Sequence, residues 1–464
     1  MIDTEALRKK VIDLAIQGKL TEQLPSDGDA ETLYAQIQEE KAKLVKEGKI
    51  KKDKPSADIS DDEILFNIPP NWKWVHLNEI AVSSLGKTLN KSTDKGELCR
   101  YLCSINVQWD EINLDTVKTA RFEEDEKEKY RLCKNDLLIC EGGDSGRCAI
   151  WDSDEEMYYQ NALHRVRFFC DINPKLYCYI IEFYKKSGII AFFTKGIGIQ
   201  HLVQSSLNAL WLPLPPLHEQ ERIVNKLEVV MDAIDIIDDL QEKYRYDLAT
   251  LKSKIIDAGI RGKLTEQLPE DGDAETLYAQ IQEEKAKLIK EGKIKKEKLL
   301  PDITADEIPY EIPDNWKWVR IGQAFTLQSG KNKVSADIHS EQNGEFKYPC
   351  YGGNGLRGYV DETNVSGKHI LIGRQGALCG NINLADNEFW ATEHAVVVYQ
   401  YGGTDVDCYA YMFKALNLNQ YATSVAQPGL AVGNIEKVLI PLPPLSEQKR
   451  IAETIDGVLK ILSI

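Results

Sequence analysis

Residues that could do covalent or metal chemistry are plentiful in this chain of 464 residues, but they do not fall at spacings that let them cooperate. The ten cysteines include no C-x-x-C pair, and the seven histidines give no pair at metal-ligand spacing. The phosphate-cradling pattern G-x-x-x-x-G-K-[ST] is absent, as are G-x-S-x-G and H-E-x-x-H. At Ile68 to Trp72, IPPNW has paired prolines, but not the preceding acidic or Asn residue and following aromatic that an amino-methylating site needs. Carboxylates abound on helical faces, where solvation explains them. The expectation is therefore a chain with no catalytic residues, no metal ligands and no cofactor of its own. What remains is hydrogen-bonding chemistry, carried by polar side chains on glycine-rich turns between short apolar runs.

Those turns lie in two unlike bodies, about Val75 to Leu212 and Val319 to Ile440. In the first, LLICEGGDSGRCAIW reads as strand, turn and strand, HRVRFFC as a further strand, and Asn173–Pro174 as N-cap and N1 of a helix through Tyr184. The second uses the same grammar with other words: HILIGRQGALCGNINL, then HAVVVYQ, then a helix around Tyr409 to Leu416. Both predict compact α+β domains of one plan with divergent loops.

Around these bodies the chain repeats itself. Gly18 to Lys52 recurs as Gly262 to Lys296 with only Ser26/Glu270 and Val45/Ile289 differing, NWKWV recurs at Asn71 and Asn315, and PLPPLHEQERI from Pro213 is answered by PLPPLSEQKRI from Pro441. In each long repeat an N-cap Asp precedes a helix ended by Gly48 or Gly292. Trp72 and Trp74, present in both frames, read as core. The basic run Lys49 to Lys54 reads as a solvated connector. Near-identity of the long repeats exceeds what folding needs and points to recent duplication or recombination.

Between the bodies, apolar residues at Ile223, Leu227, Val230, Ile234, Ile237, Tyr244, Leu248, Leu251 and Ile255 form one stripe of a helix. At 1.5 Å per residue, some 40 residues would span on the order of 60 Å. Its head is copied by the last stretch of the chain, from Leu445, and its tail by the first, from Leu7. The fold class expected is thus α+β: two pseudo-symmetric domains separated by an antiparallel long-helix, coiled-coil-like spacer, in a circularly permuted repeat. The net charge of -16 argues, alone, against a nucleic-acid binder, although much of the acid lies on the helices. With no signal peptide, no ~20-residue apolar segment and scattered cysteines, the expectation is a reduced, cytoplasmic protein without membrane contact.

The paired signatures I-Q-G-K-L at Ile16 and I-R-G-K-L at Ile260, NWKWV, and P-L-P-P-L-x-E-Q-x-R-I at Pro213 and Pro441 resemble the DNA specificity subunit of Type I restriction-modification enzymes over essentially the whole chain. The resemblance implies target recognition domains at 71–216 and 315–444. Around them it places linker repeats at 18–70 and 262–314, a central conserved helix at 217–261, and a second spacer rebuilt from 1–17 and 445–464. It implies a non-catalytic subunit that reads a bipartite target on double-stranded DNA. It also implies two docked methylation subunits and restriction subunits, with S-adenosylmethionine, ATP and Mg on those partners.

For base reading, Arg147, Gln160, Asn161, His164, Arg165, Arg167, Gln200 and His201 offer donors and acceptors in the first domain. Asn354, Arg357, Arg374, Gln375, His394, Gln427 and Asn434 do so in the second. A scaffold with two protein- or glycan-binding modules is the main alternative; a self-contained nuclease or methyltransferase would need an active site that the sequence does not offer.

Overall fold

The computed structural model describes residues 1–52, 64–90, 92, 94–193, 201–296, 298–376, 378–423 and 429–462. Packing divides the chain into two compact units, Met1–Glu242 and Lys243–Ile464. The division falls inside one helix, and it makes the permuted repeat a tandem one: each unit opens on a helix, carries a linker helix and a mixed domain, and closes on another helix.

Unit 1 contains α1 (Thr4–Ile16), α2 (Ala30–Lys46), β1 (Lys73–His76), α3 (Leu77–Ile80), β2 (Ala81–Leu85), β3 (Glu97–Leu102), β4 (Lys118–Phe122) and α4 (Glu124–Tyr130). It continues with β5 (Asp136–Cys140), β6 (Cys148–Trp151), β7 (Tyr158–Tyr159), β8 (Leu163–Phe168), α5 (Pro174–Lys186), α6 (Gln204–Asn208), β9 (Trp211–Leu214) and the first part of α7 (Leu217–Ile260). The main sheet has order β2-β8-β5-β6, and a smaller one β4-β3-β7. β5 is buried along its whole length and alternates between two layers: Leu137 and Ile139 face the core shared with α5, Leu138 and Cys140 the core under the small sheet. As the sequence predicts, Asn173 caps α5 by accepting from Lys175 N, and Asp29 caps α2 by accepting from Thr32 N.

Unit 2 repeats the plan with the rest of α7, α8 (Ala274–Lys290), β10 (Lys317–Arg320), α9 (Ile321–Ala324), β11 (Thr326–Ser329), β12 (Tyr348–Gly352), β13 (Gly355–Val360), β14 (Val365–Ser366) and β15 (His369–Gly373). There follow β16 (Ile382–Ala385), β17 (Glu388–Ala391), β18 (Ala395–Tyr399), α10 (Val406–Ala415), α11 (Val432–Ile435), β19 (Leu439–Leu442) and α12 (Leu445–Ile461). Its sheets run β11-β18-β15-β16 and β13-β12-β17-β14.

The repeated motifs turn out to meet one another. β1 holds KWV of NWKWV and β9 the first two residues of PLPPL, paired antiparallel with Trp74 opposite Pro213; β10 and β19 pair in the same register, with Trp318 opposite Pro441. In the E-Q-x-R-I that follows, the Glu, Gln and Arg each have a partner. Glu219, fully buried, accepts from Trp72 Nε1 (2.7 Å), Gln23 Nε2 (2.5 Å) and Thr21 Oγ1 (3.3 Å). Glu447 does the same with Trp316 (2.8 Å), Gln267 (2.8 Å) and Thr265 (2.9 Å). Gln220 accepts from Asn173 N at the start of α5, and Gln448 from Asp405 N at the start of α10. Arg222 forks onto Asp27, and Arg450 onto Asp271. Three donors at each buried glutamate replace the water that its carboxylate gives up. Trp72 therefore belongs to the joint between frame and domain, whereas Trp74 is half-buried against Phe66.

Within unit 1, α1 packs antiparallel on α7: Val11, Ile12, Ala15 and Ile16 join Ile223, Leu227 and Ile234 in one core. The pairing ends where Ile2 N donates to Gln241 and Arg8 bridges Asp235 and Asp238. Within unit 2, α12 places Ile451 and Ile455 against Gly259 of α7, where a Cβ would lie 2.8 Å from Ile455. One part of the predicted stripe differs. Tyr244 and Leu251 are 58% and 44% exposed, whereas Ile223, Leu227 and Ile234 are buried.

Candidate nucleic-acid interface

At one end of the first domain four segments are laced by backbone hydrogen bonds. After β5 the chain turns at Glu141 to Arg147, using positive φ at Gly143 and Gly146. Glu141 N donates to Ala162 O (3.0 Å), Leu202 N to Glu141 O (2.7 Å), Asn161 N to Lys87 O (3.0 Å) and Gly86 N to Leu163 O (3.1 Å). Gly86 is obligatory, since a Cβ there would lie 2.4 Å from the Gln160 carbonyl. Lys185, in the last turn of α5, holds the turn by donating to Ser145 O and pairing with Asp144.

The second domain reproduces this lacing with a different set of side chains. Arg374 N donates to His394 O (3.0 Å), Leu430 N to Arg374 O (2.8 Å), Gly330 N to Ala395 O (3.0 Å) and Thr392 N to Tyr351 O (2.9 Å), the last matching Gln160 N to Leu102 O. The matching bonds put Arg374 where the first domain has Glu141, Thr392 where it has Gln160, Glu393 where it has Asn161, and His394 where it has Ala162. One backbone scaffold thus carries two different patterns of donors and acceptors, including a change of sign at the position of Glu141 and Arg374.

The family model described as "Type I restriction modification DNA specificity domain" matches residues 69–243 and 313–464. The chain belongs to this family. Among similar proteins, the Type I restriction enzyme EcoAI specificity subunit of Escherichia coli is 30% identical over 376 residues, covering 70% of this chain. The match spans 63% of that relative's own length. In fold, the chain resembles a chain of a solved structure titled for complex assembly and conformational transition of the type I R-M system, with a TM-score of 0.62 and 16% identity over 86% of this chain and 92% of that one. It also resembles the HsdS subunit from Thermoanaerobacter tengcongensis, with a TM-score of 0.51 and 16% identity over the same shares.

Within this specificity-domain plan the predicted residues separate. Gln160, Asn161 and the exposed His201 lie at the laced end of the first domain, with Arg147 beside them donating to Ser104 O (2.8 Å). In the second domain, Arg374, Gln375 and His394 lie at the laced end, and Gly353, next to Asn354, approaches the His394 carbonyl. Arg357 sits close by on β13, its Cδ 2.5 Å from where a Cβ on Gly352 would be.

Four residues do not join them. His164 is fully buried, bonded through Nε2 to Leu202 O (2.8 Å), and burial pushes its imidazole pKa down. Arg165 is buried and donates to the carbonyls of Lys129 and Arg131. Arg167 forks onto the buried Asp136, four residues along β8 from the laced end. Asn434 lines a separate pocket with Arg261, Tyr310 and Arg320. The first three side chains are engaged by partners within the domain, and Asn434 lies beside Arg261 and Arg320, so none of the four sits with the polar groups of the loop turns. Gln200 and Gln427 lie outside the described residues.

Sequence reading missed Thr392 and Glu393, and also the pair Gly86 and Gly330. Their signal was positional: aligning HRVRFF with HAVVVY, two residues out of step with the obvious histidines, brings QNA over TEH. Among the described residues no group of His, Cys, Asp and Glu could hold a metal ion, and no helix is long and apolar enough to cross a membrane.

Proposed function

We propose that this chain is the DNA specificity subunit of a Type I restriction-modification complex, reading a split target on double-stranded DNA with one half-site per domain. The observation that carries this reading is the pair of laced loop ends: one backbone repeated in both units, with donors and acceptors exchanged between them. Hydrogen bonds to base edges specify sequence, so two different edge patterns on one scaffold suit two different half-sites. The subunit makes and breaks no bonds itself. Methylation subunits, two by the duplicated frame, would bring S-adenosylmethionine, and restriction subunits ATP and Mg, all acting in the cytoplasm. Docking of such partners is supported by Val229, Ile236 and Leu240 on α7, which are 66%, 59% and 60% exposed on an otherwise charged helix.

The test is methylation mapping by single-molecule sequencing of cells carrying this gene with its neighbouring methyltransferase gene, against cells lacking only this gene. A split adenine-methylated motif should vanish with the gene. If every motif persists while the methyltransferase is active, a helical scaffold for protein or glycan partners replaces this reading.

A further inference from the structure

The laced end of the second domain holds polar atoms that the protein itself leaves without partners. Among the described residues, Glu393 Oε2, Thr392 Oγ1, His394 Nδ1, Arg374 Nε and Asn383 Nδ2 are all shielded and make no hydrogen bond within the chain. Buried polar groups are normally satisfied, and leaving one unmet is costly, so five in neighbouring segments call for an explanation. Thr392, Glu393 and His394 are consecutive, Arg374 N is bonded to His394 O, and Asn383 lies against Gly355, where a Cβ would meet its Oδ1 at 3.0 Å.

Glu393 is the informative member. One of its oxygens lies 3.1 Å from His394 Nε2, and the other has no donor. On a DNA-facing surface a carboxylate is repelled by phosphate, so its free oxygen is useful only where a base presents an N–H group. In the major groove that is the exocyclic amine of cytosine or adenine, and carboxylates pair with cytosine N4. The same position in the first domain is Asn161, an amide that both donates and accepts. Arg374, on the adjacent strand end, keeps a free Nε although one terminal nitrogen donates to Ser329 Oγ (3.2 Å). A guanidinium matches guanine O6 and N7.

We propose that Glu393 is a specificity-determining residue that accepts from cytosine N4, with Arg374 donating to guanine, in the half-site read by the second domain. This rests on the DNA-specificity reading above.

The experiment is the same methylation mapping, with Glu393→Gln in the full-length protein and its partner methyltransferase. The amide keeps the size, but it donates as well as accepts, so it can pair with adenine. One position of one half-site should relax from cytosine to accept adenine, with discrimination falling on the order of tenfold, while the other half-site stays intact. A motif unchanged at every base overturns the inference and leaves the specificity function standing. Equal loss of both half-sites by a variant that melts like the parent also overturns it, since the residue would then act on assembly. If no motif depends on the parent gene, the function itself fails. Should Glu393→Gln fold poorly, Glu393→Asp decides: the same base choice with reduced methylation extent supports the inference, and parental extent overturns it.

Discussion

At the residue scale, the two halves of the chain can be compared directly, because equivalent backbone bonds identify equivalent side chains. Arg374→Ala removes a guanidinium from the second loop end only. It should weaken binding by about 1–3 kcal/mol and relax one half-site, which competition binding against single-base variants would measure; equal loss at both half-sites would count against the placement. The buried glutamates make a different prediction. Glu219→Ala strands the Trp72, Gln23 and Thr21 donors, and should loosen the first unit by about 3 kcal/mol. Hydrogen exchange read separately over Met1–Glu242 and Lys243–Ile464 would detect it, with Glu447→Ala giving the mirror result in the second unit.

The flanking ion pairs respond to acid. Hydrogen bonds from Arg222 and Arg450 hold the carboxyls of Asp27 and Asp271 below their ordinary value of 3.8. Each native pKa lies below its unfolded value, so the stabilisation is complete above the unfolded pKa of about 4 and is lost as pH falls through the native one. An Asp27→Asn, Asp271→Asn double variant should therefore show a flatter loss of stability below about pH 4. Residue roles were the least legible part of the sequence. His164 and Arg165 have the right chemistry for DNA, but they sit on a strand whose burial on both faces is set by tertiary packing. Glu393 looked like any surface carboxylate until its backbone neighbours were known.

At the element scale, the sequence was far more informative. Capping residues and apolar spacing place α2, α5 and α7 within a few residues of where they lie, because those signals are local. The fate of the α7 stripe was not local: whether Tyr244 and Leu251 are covered depends on what packs against them, which no spacing within α7 records. Removing Leu445 to Ile464 deletes Ile451, Ile455 and Glu447 from the second unit. Loss of helicity beyond α12 itself and a lower melting temperature are expected; unchanged melting would show that α7 needs no partner there. Ile236→Glu with Leu240→Glu changes only exposed positions and should abolish partner docking, read as lost methylation with DNA binding retained.

At the scale of the whole molecule, repeats carried the organisation. NWKWV and PLPPL were visible as duplicated strings, but not as partners, since antiparallel pairing across a domain leaves no mark on local composition. Replacing residues 77–210 with the corresponding segment of another family member should change one half-site and leave the other, as methylation mapping would show. Loss of both would mean that the loop ends depend on each other.

Pairing of β1 with β9 also sets how this protein can change. Neighbouring strands lie about 4.8 Å apart, so to the frame each domain is a single long hairpin loop with a fixed gap between its ends. Inserting, deleting or rewriting sequence inside that loop alters its contour length but not the separation of its ends. On the proposed reading, the target can therefore drift at the pace of loop mutation while the frame stays under ordinary constraint, and the two half-sites can evolve as separate lineages within one gene.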